Sequence, residues 1–265
     1  MALREILVHM DSTPQCATRL EVAVDLAKRH GARLTGLYVL TYFPYASRNT
    51  AAEAQVEAAR DMFHDQTGAA GIAAAWRRID WQVVGVSIWE VITLHAYYTD
   101  LVVVSQPKAG KTGQSDDGIP ERIIFGSGRP VLIVPYSGSF SGTGQRIMVA
   151  WKAGRESTRA LNDAMPLLQA AQEVTLVTVA DTRDGISPPC TICDHLALHG
   201  VTVHGKSLPA SNMQIADALL NHAAEQDFDL MISGAYGYTS KGSLSLTVVA
   251  RQLLQGMTIP LLMSH

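Results

Sequence analysis

The sequence Ile6-Leu7-Val8-His9-Met10-Asp11 returns later in the chain as Ile147-Met148-Val149-Ala150-Trp151-Lys152. Each copy precedes a helical stretch with Thr-Arg near its start, and each half ends on a short apolar run after a proline, Pro130 or Pro260. The offset of roughly 130–140 residues is far above the roughly 20–50-residue period of solenoid repeats. The pattern therefore predicts a duplicated domain.

The composition of the 265 residues is typical of two globular domains of ordinary size. The apolar share of 47% is enough for a core in each half, and the net charge of −3 gives no reason to expect a nucleic acid partner. No apolar run reaches the roughly 18 residues of a membrane span, and the N-terminus does not resemble a secretory signal. Three cysteines argue against a disulfide framework. We therefore expect a cytoplasmic protein that binds neither nucleic acid nor membranes.

Short apolar strands alternate with amphipathic helices along both halves. The first strand, Ile6–Met10, is almost wholly apolar, as expected for a parallel strand that is buried on both faces. The alternation predicts an α/β fold with five parallel strands and helical crossovers in each half. We place the first domain at residues 1–137 and the second at 144–265, with a linker rich in glycine and serine at 136–145.

Two further elements have predicted bounds. We expect the third strand of the first half at Asp80–Val84. In the second half, Leu161, Ala164 and Leu168 form an apolar stripe that predicts one helix over 156–171.

Ligands of open parallel sheets bind beyond the carboxyl ends of the strands. Gly234-Ala235-Tyr236-Gly237 follows the fourth strand of the second half and precedes its last helix. Such glycines let backbone amides approach a phosphate, and Ser240 and Ser243 add hydroxyl donors. The same glycines also suit a loop that only turns the chain, because a single G-x-x-G pattern is not specific.

The chain resembles tandem bacterial members of the universal stress protein family over nearly its whole length. The most similar stretches are Asp229–Gly237, Met257–His265, Ile147–Trp151 and Ser157–Leu161. The resemblance implies a Rossmann-like parallel sheet of order 3-2-1-4-5 in each half. It also implies an internal pseudo-dimer that is packed through the last strands, and it leaves further dimerisation open.

Many members of that family bind ATP through the pattern G-x2-G-x9-G-(S/T), an acidic residue at the end of the first strand and a valine at the end of the second. In the second half the matching positions for these glycines, the hydroxyl residue and the valine are Gly234, Gly237, Thr247, Val248 and Val179. Thr247 has a Cβ where glycine is expected, and Val248 lacks a hydroxyl. Lys152 replaces the acid and cannot accept hydrogen bonds from a ribose. We therefore expect weak binding of ATP or another adenine nucleotide in this half.

The first half departs from the family pattern in the opposite way. Asp11 matches the acidic position and Val39 the valine, whereas Ser105 and Lys108 replace the first two glycines. The alternative role for Asp11 is to cap the first helix, together with Ser12 and Thr13. The resemblance implies a vestigial or remodelled pocket in this half.

Cys190-Thr191-Ile192-Cys193, followed by His195 and His199, is unusual for this family. A Cys-x2-Cys pair with histidine can bind zinc, and two thiols at the start of a helix can also serve redox chemistry. The third interpretation is a pair of small, half-buried thiols without a ligand.

These patterns lead to three function hypotheses. The first is a stress-response protein that binds a ligand, with ATP hydrolysis no more than slow and incidental and with no catalytic residues assigned. The second is a member that binds protein partners instead of nucleotides and whose pockets are filled by side chains such as Trp151 and Tyr236. The third is a metal or redox sensor built on Cys190 and Cys193.

Overall fold

The computed structural model describes residues 2–41, 50–81, 87–107, 118–180, 190–209, 214–238 and 244–265, without the side chains of Thr41, Trp81, Ala180, Cys190 and Tyr238. The chain divides into two compact units, Ala2–Ser141 and Gly142–His265, which we call the first and the second unit. In the described part of the chain, no helix has both the length and the hydrophobicity that crossing a membrane requires.

The first unit is a five-stranded parallel sheet with helical crossovers. Its strand order is β3-β2-β1-β4-β5, and every adjacent pair is parallel. The elements are β1 Glu5–Met10, α1 Gln15–His30, β2 Arg33–Thr41, α2 Thr50–Ala70, β3 Ala74–Trp81, α3 Ile88–Ala96, β4 Leu101–Ser105, α4 Ile119–Ser127 and β5 Val131–Val134.

The second unit repeats this architecture. Read from β8, its parallel strands have the order β8-β7-β6-β9-β12, which is again 3-2-1-4-5 when the five are counted along the chain. The elements are β6 Arg146–Ala150, α5 Arg155–Asp163, α6 Met165–Ala170, β7 Glu173–Ala180, α7 Cys190–Leu198, β8 Val203–Pro209, α8 Ile215–Glu225, β9 Leu230–Gly234, β10 Tyr236–Tyr238, β11 Leu244–Leu246, α9 Val248–Gly256 and β12 Leu261–Ser264. The predicted fold class and strand order are confirmed within each unit.

An aspartate before the fourth parallel strand holds the start of the first strand in both units. Asp100 Oδ2 accepts hydrogen bonds from the backbone N–H groups of Arg4, at 2.8 Å, and Glu5, at 3.0 Å. The carboxylate of Asp229 accepts the corresponding bonds from the three N–H groups of residues 144–146, at 2.7–3.0 Å. In each unit the aspartate therefore satisfies the backbone N–H groups at the start of the first strand.

The packing of α2 on the sheet of the first unit depends on a glycine. A Cβ at Gly36 of β2 would lie 2.8 Å from the ring of Phe63, which is fully buried on α2. The Phe63 ring also packs against Trp76 of β3, with 5.5 Å between ring centroids. The missing side chain at position 36 thus makes room for an aromatic cluster over the edge of the sheet.

Two predicted boundaries were wrong. The third strand begins at Ala74 instead of Asp80, because this edge strand carries charged residues such as Arg78 and has a weak apolar pattern. The predicted helix over 156–171 is broken at Ala164 into α5 and α6. Pro166 lies at the start of α6, and a proline cannot donate the backbone hydrogen bond that a continuous helix needs.

Candidate functional site

A cavity of about 390 Å³ lies in the second unit, at the carboxyl ends of β6, β7 and β9. Parallel α/β sheets bind their ligands at this edge. Val177 and Val179 of β7, with Leu219 of α8, contribute an apolar wall. Trp151 and Tyr236 also line the cavity, and the space beside them stays open. The predicted filling of this pocket by these two side chains is therefore wrong.

Gly234 ends β9 and lines the cavity. A Cβ at this position would lie 2.8 Å from the carbonyl carbon of Glu156 and 2.9 Å from the backbone nitrogen of Ser157. Real Cβ atoms do not approach backbone atoms so closely. The glycine is therefore required by the approach of the first turn of α5 to the end of β9, whatever ligand the cavity takes.

Gly237 lies in a short antiparallel hairpin, where it is paired with Ser245. The sequence predicted a loop in this region and missed the hairpin. A Cβ at Gly237 would lie 3.0 Å from the Cγ2 atom of Thr247, so packing restricts this position as well. The predicted phosphate-loop residues Ser240 and Ser243 lie outside the described residues.

Thr247 is the N-terminal cap of α9. Its Oγ1 atom accepts a hydrogen bond from the backbone N–H of Ala250 at 3.1 Å, and its φ of −64° is ordinary for a residue with a side chain. Thr247 and Val249 line the cavity, whereas the side chain of Val248 is 73% exposed and does not. The structure therefore brings Val179, Gly234, Gly237 and Thr247 around one cavity but not Val248. Their part in ligand binding stays a prediction.

Two charged residues, Lys152 and Glu156, line the cavity. Lys152 follows β6 at the position where the family resemblance implies an acid. Sequence reasoning missed Glu156, which lies in the first turn of α5. The signal that could have revealed it is an acidic residue in the first turn of a helix whose N-terminus faces the ligand-binding edge of the sheet.

The corresponding edge of the first unit is arranged differently. Asp11 Oδ2 lies 3.0 Å from Nη2 of Arg19, and Asp11 Oδ1 accepts hydrogen bonds from the backbone N–H and the hydroxyl of Thr13, at 2.9 and 2.6 Å. Burial opposes the ionisation of Asp11. The charges of Arg19 and His9 and the bonds from Thr13 outweigh this effect and lower its pKa.

Arg19 contacts both Asp11 and Ser105, the two positions at which the first unit differs from the second. Its side chain is 1% exposed, and its Nη1 donates a hydrogen bond to Oγ of Ser105 at 2.6 Å. Asp11 and Ser105 correspond in the repeat to Lys152 and Gly234. The guanidinium therefore joins the ends of β1 and β4 in the first unit. Val39, the other predicted site residue of this unit, is buried in β2.

The alternative role of Asp11 as a helix cap was wrong. The N-cap residue of α1 is Pro14, and α1 has no capping bond from a side chain at this position. The two hydrogen bonds that Thr13 donates to Asp11 stabilise the turn between β1 and α1 instead.

His9 is buried beside this ion pair, with its Nδ1 atom 3.8 Å from Oδ2 of Asp11. Burial lowers the pKa of His9 from its usual 6.5 to about 4; the charge of Arg19 lowers it further, and that of Asp11 opposes the change. The imidazole is therefore neutral at physiological pH.

The predicted metal or redox residues lie on α7, which begins at Cys190. Cys193 is half-buried, and the rings of His195 and His199 are 4.7 Å apart in an edge-on arrangement. Within the described ranges, no group of three or more His, Cys, Asp or Glu residues is placed to hold a metal ion. The side chain of Cys190 is not among the described atoms, and a role of this helix in metal or redox chemistry stays a prediction.

Comparison with known proteins identifies a family and several similar folds. The model of the universal stress protein family matches residues 2–135. A universal stress protein from Archaeoglobus fulgidus DSM 4304 has a similar structure, with a TM-score of 0.73, 16% identity and coverage of 98% of this chain and 95% of the other. A functionally unknown protein from Pseudomonas aeruginosa PAO1 has a TM-score of 0.64, 15% identity and coverage of 99% and 92%. None of the curated proteins that were compared with the chain matches it.

Proposed function

Because the chain belongs to the universal stress protein family, we propose that it is a ligand-binding member that takes an adenine nucleotide in the cavity of its second unit. The observation that carries the proposal is the open cavity at the carboxyl ends of β6, β7 and β9. Its volume of about 390 Å³ is within the range of small-molecule sites, which is about 300–1,000 Å³.

The lining of the cavity suits the parts of a nucleotide. Val177, Val179 and Leu219 form an apolar wall for a flat base. Lys152 supplies a cation for a phosphate group, and its flexible side chain reaches a phosphate as a point charge.

The phosphate side favours a short phosphate chain. Thr247 has a side chain where the family pattern has glycine, and its Oγ1 accepts the capping bond of α9, which leaves a single O–H donor. Val248 faces away from the cavity without a donor. These two residues stand where the family pattern has glycine and a hydroxyl residue. A triphosphate therefore binds with little more affinity than a monophosphate. Binding of ATP is accordingly weak.

The first unit has a different role in this proposal. Arg19 lies at the carboxyl ends of β1 and β4, where Asp11 neutralises its charge and Ser105 accepts a hydrogen bond from its Nη1. A ligand there would have to displace these contacts, so we expect one nucleotide per chain.

Matched tryptophan substitutions in the two units test the proposal. Ala153 is exposed at the mouth of the cavity, and Ser12 holds the equivalent exposed position in the first unit. Isothermal titration of the full chain with AMP, ADP and ATP is expected to give one site per chain. Ala153→Trp should abolish binding, and Ser12→Trp should leave it unchanged. Loss of binding in Ser12→Trp alone would place the site in the first unit, and no binding of any nucleotide to the unchanged chain would refute the proposal.

A further inference from the structure

Glu156 and Lys152 are the charged residues among those that line the cavity of the second unit. Glu156 is half-buried, and its carboxylate accepts no hydrogen bond and joins no ion pair within the described part of the chain. Burial lowers the pKa of His265, and the charge of Glu156 opposes this change, so the carboxylate acts electrostatically on His265. An ionised carboxylate is an acceptor only, and a partly desolvated one is stabilised by donors from a ligand. The cavity therefore presents a carboxylate that accepts no hydrogen bond from the described protein, in a lining that also contains the cation of Lys152.

Packing holds Glu156 in this place. The same close approach that requires glycine at position 234 brings the Cβ atom of Glu156 to 3.0 Å from the position that a Cβ of Gly234 would take. A Cβ atom at Gly154 would lie 3.7 Å from the Oε2 atom of Glu156 and 3.7 Å from the carbonyl oxygen of Lys152. The carboxylate is thus folded back beside the turn that joins β6 to α5.

The charges of Lys152 and Glu156 favour different parts of a nucleotide. A phosphate is repelled by Glu156 and attracted by Lys152, whereas hydroxyl groups can donate to Glu156. In doubly wound α/β folds an acidic residue at this edge commonly binds ribose hydroxyls. A ribose places two adjacent hydroxyls close to its base, and these match the two oxygens of a carboxylate.

We propose that Glu156 is the specificity-determining residue of this site and that it accepts hydrogen bonds from the 2′- and 3′-hydroxyls of a ribonucleotide. The proposal rests on the nucleotide-binding function that is proposed above. It assigns the acceptor to the helix after β6 instead of to the last position of the strand, where Lys152 stands. The site then selects ribonucleotides over deoxyribonucleotides.

Titration with AMP, 2′-deoxy-AMP and 2′,3′-dideoxy-AMP tests the assignment in the full chain. We expect the unchanged protein to prefer AMP over the 2′-deoxy form by about tenfold, since a hydrogen bond to a charged group is lost. Glu156→Ala should bring this ratio close to one. Glu156→Gln keeps the shape of the side chain, removes its charge and should give a smaller ratio than the unchanged protein.

Asp163→Asn is the matched control. Asp163 lies on the same helix, pairs with Arg159 and does not line the cavity, so its substitution should keep the preference for AMP. A ratio in Glu156→Ala equal to that of the unchanged, folded protein would overturn the assignment. Equal binding of AMP and 2′-deoxy-AMP by the unchanged protein would also overturn it while leaving the proposed function intact. Binding of none of these nucleotides, and of neither ADP nor ATP, would refute both.

Discussion

Nη2 of Arg19 lies 3.0 Å from Oδ2 of Asp11, and the arginine is almost completely buried. Arg159 is the fifth residue of α5, as Arg19 is of α1, but it pairs with Asp163 of its own helix and is 48% exposed. The two copies of the unit therefore use equivalent arginines differently. In the first copy the arginine joins the carboxyl ends of β1 and β4. In the second copy the carboxyl ends of the strands are open as a cavity.

This difference predicts unequal effects of the same substitution. Arg19→Met leaves Asp11 without its counterion and should lower the stability of the first unit by about 3 kcal/mol. Arg159→Met removes an exposed pair and should cost less than about 1 kcal/mol. Urea denaturation read by hydrogen exchange of β1 and β6 peptides measures the two units separately. Equal losses in the two variants would contradict this assignment of roles.

A second prediction concerns the dependence of stability on pH. His9 has a folded-state pKa of about 4 against its usual 6.5. Between these values the unfolded chain binds a proton that the folded chain does not, so the stability of the first unit falls as the pH is lowered from about 6.5 to about 4. The loss of stability that the lowered pKa of His9 causes over this range is on the order of 3 kcal/mol. The lowered pKa of Asp11 adds a further loss only at lower pH, as the pH falls through the folded-state pKa of that carboxyl group.

The contribution of His9 is isolated by comparing His9→Asn with the unchanged chain across this pH range. The stability of the first unit should be less dependent on pH in the variant. His204→Asn, at an exposed histidine of β8, serves as the control and should keep the original dependence. Identical pH profiles for His9→Asn and the unchanged chain would exclude the buried neutral histidine as the cause.

A third prediction separates two glycines by their surroundings. Gly234→Ala places a Cβ within 2.9 Å of the backbone of α5 and should destabilise the second unit by about 1–3 kcal/mol. Gly68→Ala, inside α2 with no atom within 4 Å of the new methyl group apart from its chain neighbours and the backbone of its own helix, should stabilise the first unit by about 0.5–1 kcal/mol. Thermal denaturation followed by circular dichroism measures both changes. A neutral Gly234→Ala would show that α5 shifts without cost.

A fourth prediction concerns the phosphate side of the cavity. Thr247→Gly keeps a tolerated cap residue, so it should cost only a few tenths of a kcal/mol, whereas Thr247→Ala should cost about 1 kcal/mol. Thr247→Gly with Val248→Ser restores the glycine and the hydroxyl of the family pattern. If the nucleotide site is correctly placed, this double variant should bind ATP more tightly relative to AMP than the unchanged chain does. Titration calorimetry measures the ratio, and an unchanged ratio would argue against phosphates at α9.

Much of the fold follows from local patterns that the sequence displays directly. The apolar runs that became β1 and β6 and the alternation of strands with amphipathic helices predict the duplicated parallel sheets, because burial on both faces demands such runs. The edge strand β3 was misplaced for the same reason, since half of its surroundings is solvent and its apolar pattern is weak. The carboxyl-end rule for parallel sheets pointed to Gly234 and Gly237, the family resemblance added Val179 and Thr247, and all four line the cavity.

Contacts between distant segments account for the features that no local pattern predicted. Arg19 and Ser105 are 86 residues apart, and nothing near either of them in the chain indicates that the guanidinium turns inward while that of Arg159 turns outward. Glu156 lines the cavity because α5 approaches the end of β9 where Gly234 has no side chain. Periodicity thus sufficed for the parallel strands and their helical crossovers, since each element reports its own burial, and the family resemblance supplied the strand order. Whether the carboxyl ends of the strands are closed by a side chain or open as a cavity depended on how separate elements pack together.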